Sequence, residues 1–114
     1  MIGVKMATMA VAWRDFQLDT PAWNALYYVD ATLRDSRDPI YKVYSVARTD
    51  NPPAGPCSIA ARNENSDLIV GVVCFALAEH TTQLAVFVSG DHSLPACEAE
   101  RDNIVNEIIG LNLN

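Results

Sequence analysis

Residues 68–78, LIVGVVCFALA, carry an apolar or small side chain at every position. A half-exposed strand alternates apolar and polar residues, so this unbroken run predicts a central strand covered on both faces. Residues 40–48 (IYKVYSVAR) are rich in β-branched and aromatic residues and predict another strand. Residues 57–62 predict a short strand at a sheet edge, joined to the central run by a turn over Asn63-Glu64-Asn65-Ser66-Asp67. Residues 79–82 close a hairpin and residues 83–89 (QLAVFVS) return. Asp50 to Pro56, with three prolines, predict a stiff loop.

Two segments change to the helical period. Thr20-Pro21 predicts a helix start, with threonine as the cap and proline at the first helical position. This helix spans about 20–35, before Pro39. Ala22, Leu26, Val29 and Leu33 form its core stripe, flanked by Ala25 and Thr32. A second ridge, Trp23, Tyr27, Asp30 and Arg34, mixes aromatic and charged groups. The other helix spans about 94–109, with Cys97, Arg101, Ile104, Val105 and Ile108 on one face and Gly110 as its stop. Residues 2–17 fit both periods. Ile2, Val4 and Met6 alternate, while Met6, Met9, Trp13 and Phe16 recur at helical spacing. The strand is preferred, ending in a turn near Arg14-Asp15.

The order β-α-β-β-β-β-α predicts a single α+β domain over residues 1–114. It is an antiparallel meander of four to five strands with two main helices. Both helices should pack on one face of the sheet. The other face then needs a cover, either from the N-terminal segment or from a second copy of the chain. A homodimer is expected on this ground.

Charge alters the choice of partner. Residues 1–62 hold six acids and seven bases, and residues 63–114 hold eight acids and one base, Arg101. The acidic half argues against nucleic acid and anionic membrane as partners, since both require basic surface. No run approaches the ~18 apolar residues of a membrane span. Lys5 followed by MATMAVA is too short and leucine-free for a good secretory signal. Three cysteines, Cys57, Cys74 and Cys97, without close Cys-x-x-Cys spacing fit a reducing compartment, so a cytoplasmic protein is expected.

Candidate chemistry is sparse. His80 and His92 flank one strand and should lie at opposite ends of the sheet, so no metal site or other cofactor is expected. Asp91, His92 and Cys97 imitate a nucleophile, base and orienting acid, with the thiol in a helix's first turn. Glu98 and Glu100 oppose a thiolate there. Asp30 beside Trp23 and Tyr27 could have a raised pKa and act as an acid or base, or simply pair with Arg34 at i+4. Arg101 lies on a face expected to be buried, where a guanidinium needs a partner. It can snorkel, form an ion pair with Asp30 as the favoured partner, or clamp an acidic ligand.

The leading expectation is a non-enzymatic binding or interaction protein acting as a homodimer. Trp23, Tyr27, Asp30, Arg34 and Arg101 are its candidate ligand or interface residues, suited to a small amphipathic or cationic molecule or another protein. No catalytic residue is assigned. A small enzyme using Asp30 or the Asp91/His92/Cys97 corner is the first alternative. An acidic inhibitor directed at a basic protein surface is the second.

Overall fold

The apolar run forms an inner strand. A computed structural model describes residues 9–48 and 56–113. Its elements are β1 (Ala10–Leu18), α1 (Ala22–Arg34), β2 (Tyr41–Arg48), β3 (Cys57–Asn63), β4 (Ile69–Ala78), β5 (Thr81–Gly90) and α2 (Leu94–Leu113). The strands form one antiparallel sheet in the order β1-β5-β4-β3-β2. This is the α+β arrangement expected, with β2 to β5 as the meander and β1 added beside β5.

The register separates the two faces. Rows such as Ala12, Val88, Val70 and Ala61 face the helices, as do Phe16, Leu84, Cys74 and Cys57. Most of these side chains are buried, and they meet Ala25, Leu26, Val29 and Leu33 of α1 and Cys97, Ile104, Val105 and Ile108 of α2. Helix α1 lies over β2, β3 and β4, while α2 lies over β1 and β5. Antiparallel pairing through five strands leaves β1 and β2 parallel at opposite edges. The connection between them must cross the sheet, and α1 makes that crossing.

Four expectations need correction. Strand β1 continues through Arg14 and Asp15 instead of turning there, because its pairing with β5 runs unbroken from Ala10 to Leu18. Residues 2–8, which hold the alternation of Ile2, Val4 and Met6, lie outside the described residues. Strand β3 is interior, and β2 is the edge. Strand β2 suits that place: it carries Lys42 and Arg48 and a register shift between Val43 and Ser45, features that discourage further strand pairing. Among the described residues, helices cover β4 on one face, and the cover expected for its other face, residues 1–8 or a second copy, lies outside them. Helix α1 begins at Ala22 with Pro21 as the cap residue, and the Pro21 carbonyl accepts from the amides of Asn24 and Ala25. Thr20 instead accepts a 2.8 Å hydrogen bond from Asn24 Nδ2, and its carbonyl takes one from the Thr82 hydroxyl at 2.7 Å. Helix α2 runs through Gly110 to Leu113. Leu111, one residue beyond the glycine, lines a cleft together with Ile104 and Ala31.

Candidate functional site

The end of α1, the middle of α2 and the start of β2 leave a cleft of about 490 Å³. Asp35 and Asp38 reach it from the segment after α1, Glu100 and Glu107 from α2, and Tyr41 from β2. Four of the lining residues are acids and none is basic. The cleft lies between the end of α1, which stops at Arg34, and α2, which continues to Leu113.

Glu100 is the innermost acid of known surroundings. Asn63, buried at the end of β3, donates to its Oε1 at 2.5 Å. Asn63 is itself held by the turn, accepting through Oδ1 from the amides of Asn65 and Ser66 at 2.9 and 3.2 Å. Burial pushes the Glu100 carboxyl above its ordinary range, while Asn63, the Tyr41 phenol and the charge of His92 pull it back. Burial, and then the neighbouring Glu100 charge, drives the Tyr41 phenol well above its usual value. Glu100 Oε2 and Thr32 Oγ1 are buried without a hydrogen-bond partner among the described residues, and both residues line the cleft. A buried oxygen without a donor is costly, and a ligand N–H would relieve it.

The ridge of Trp23, Tyr27, Asp30 and Arg34 forms on α1, but none of these four lines the cleft. Trp23 and Tyr27 are exposed, and Tyr27 packs edge-on against Tyr28. Asp30 accepts from Arg34 Nε at 2.6 Å, the ordinary i, i+4 pair. Arg101 therefore does not find its partner in Asp30. Its Nε and Nη2 donate to Asp102 Oδ1 at 3.0 Å, and its Nη1 donates to the Trp13 carbonyl of β1 at 3.2 Å. With its side chain 18% exposed, Arg101 ties α2 to the edge of the sheet.

The Asp91/His92/Cys97 corner does not assemble a nucleophile. Cys97 is fully buried in the core, and burial followed by Glu100 pushes its thiol pKa up. His92 Nε2 lies 2.7 Å from the Ser66 carbonyl, which fixes the ring against the turn. His80 and His92 bracket β5 at its two ends. The acids of the C-terminal half are divided among the turn at Glu64 and Asp67, the hairpin at Glu79, Asp91 between β5 and α2, and helix α2 itself. Among the described residues, no group of three His, Cys, Asp or Glu side chains converges as a metal site would require.

The second prominent surface is the sheet face opposite the helices. The row Trp13, Phe87, Gly71 and Ala60 crosses its middle, with Trp13 and Phe87 stacked at 6.5 Å. Val11, Ile69, Val73 and Phe75 extend the apolar area, and all four are exposed together with Trp13 and Phe87. Among the described strand residues, charge on this face is confined to Asp15 on β1, Lys42 on β2 and Arg62 near the end of β3. The continuous apolar character of residues 68–78 was the sequence signal for this surface. No signal marked Tyr41 or Glu100, which meet only through the packing of β2 and α2.

No protein-family model matches the chain, and no curated protein matches it in sequence. Its function must therefore be argued from these surfaces.

Proposed function

We propose that the protein is a non-enzymatic binding protein that works as a homodimer, two copies stacking their uncovered sheet faces. The single observation behind this reading is the apolar, aromatic face of β1, β5 and β4. Soluble monomers rarely expose a contiguous apolar patch of more than a few hundred Å². Five strands about 4.8 Å apart, each about eight residues long, present roughly 600 Å² per copy. Two such faces bury about 1,200 Å², the lower end of a stable interface. A second copy supplies a matching apolar face by symmetry, with its charges again at the margin.

Size-exclusion chromatography with light scattering tests this reading on the full chain. The expected particle has twice the 12.5 kDa chain mass, and Phe87→Lys returns it to one. A wild-type monomer at tens of micromolar overturns the reading. A monomer that dimerises only after removal of residues 1–8 also overturns it, by assigning the face to the chain's own leading segment.

The cleft supports a second reading, that the bound ligand is a small organic cation. Its four carboxylates lack a base among the lining residues, and Glu100 Oε2 and Thr32 Oγ1 lack a donor among the described residues. An ammonium group supplies both charge and N–H donors. Calorimetry with 1,4-diaminobutane against 1,4-butanediol separates the outcomes. Binding of the diamine alone, lost in Glu100→Gln, supports this reading, and equal responses to both compounds reject it.

A further inference from the structure

Cys57 and Cys74 stand directly opposite each other in the β3–β4 register. Their sulfurs are 2.7 Å apart, inside the ~3.5 Å at which non-bonded heavy atoms rest. Both are buried on the helix side of the sheet, 3% and 1% exposed. Direct cross-strand neighbours fall within the backbone separation that a disulfide spans. We propose that Cys57 and Cys74 are a covalent modification site, forming a disulfide between β3 and β4 when a peroxide oxidises the protein.

The surroundings divide the roles. The contact with Cys74 lowers the Cys57 thiol pKa, and the same contact, with burial, raises that of Cys74. Its place at the end of β3 makes Cys57 the sulfur that an oxidant reaches first, and so the attacking one. It is the first residue of β3, and its pairing with Arg48 is the last of β2. A strand end opens more readily than a strand middle, which admits a small oxidant. The Cys57 thiolate attacks one oxygen of hydrogen peroxide, and the O–O bond breaks. The departing hydroxide takes up a proton to become water, leaving Cys57 as a sulfenic acid. The Cys74 sulfur then attacks the Cys57 sulfur. The S–S bond forms as the S–O bond breaks, and the hydroxyl leaves with the Cys74 proton as a second water. Two thiols lose two electrons in total, and one peroxide becomes two waters.

Cys97 is a built-in control. It is buried on α2, its thiol is raised by burial, and it has no sulfur partner among the described residues.

The test uses the full, reduced chain. It is treated with a small excess of hydrogen peroxide, alkylated after unfolding, and mapped without reductant. The expected product carries one alkylated cysteine, Cys97, and a linked Cys57–Cys74 peptide, and dithiothreitol restores three alkylated sites. The cross-link closes a loop between residues seventeen positions apart. It should raise the melting temperature by about 10 °C through the lost freedom of the unfolded chain. Cys97→Ser should keep the linkage, while Cys57→Ala and Cys74→Ala should abolish it. Three alkylated cysteines after peroxide overturn the proposal. So do a linkage that includes Cys97 or a sulfinic acid on Cys57 without linkage. The mass measurement on the wild-type chain decides the matter even where a cysteine variant does not fold.

Discussion

Along β4 and β5, Val70, Val72, Leu84 and Val86 face the helices and are buried, while Ile69, Val73 and Phe87 face away and are exposed. The residue types are nearly the same. Covering by α1 and α2 makes one set the core, where each methylene contributes to folding. The other set contributes to folding only when something covers it. The same hydrophobic chemistry therefore serves stability on the covered face and, under the proposed reading, association on the other.

The largest test of this contrast is Leu84→Ala. It removes a fully buried side chain from the helix face, and urea denaturation should show a loss of about 2–5 kcal/mol. A loss below ~1 kcal/mol would mean that this face is not the core. Arg101→Met is smaller. It keeps the apolar stem but removes the tie to the Trp13 carbonyl and Asp102, so the expected loss is about 1 kcal/mol. An unchanged midpoint would show that Arg101 does not hold α2 to the sheet edge.

Glu100→Gln should appear as a slope rather than a step. The wild-type carboxyl is raised above its ordinary 4.5, chiefly by burial. The native state therefore holds that proton to higher pH than the unfolded chain does. Its stabilising contribution is present below pH 4.5 and declines as pH rises through the raised value. Glutamine has no such titration. Thermal melts in steps upward from pH 4 should show the variant gaining on the wild type, and parallel curves would contradict the burial argument.

The smallest effect on folding should come from Phe87→Lys on the open face, within about 0.5 kcal/mol for the isolated chain. The same change should abolish the dimer. A large folding loss without any change in particle mass would remove the distinction between the two faces.

Much of the fold was legible because periodicity is local. The stripe of α1, the face of α2 and the apolar run of β4 appear within single segments; the two helical faces are buried and the run forms an inner strand. Strand order was less accessible. Whether β3 or β2 lies at the edge depends on which strands pair, a contact between distant residues. The cysteine pair shows how narrow the margin is. The turn was expected over residues 63–67, but the pairing of Arg62 with Ile69 centres it half a residue later. That shift sets Cys57 opposite Cys74 instead of opposite Val73.

The candidate sites divide in the same way. Asp30 and Arg34 pair because four residues on a helix bring side chains together, which the sequence alone determined. The sequence also determined the α+β class, the buried stripes and the excess of acid in the C-terminal half. Only the tertiary structure decided that Glu100 meets Asn63, that Arg101 meets Trp13 rather than Asp30, and that among the described residues both helices lie on one face of the sheet. The reason is physical. Periodicity shows which side of an element is apolar, but not which surface, if any, will cover it.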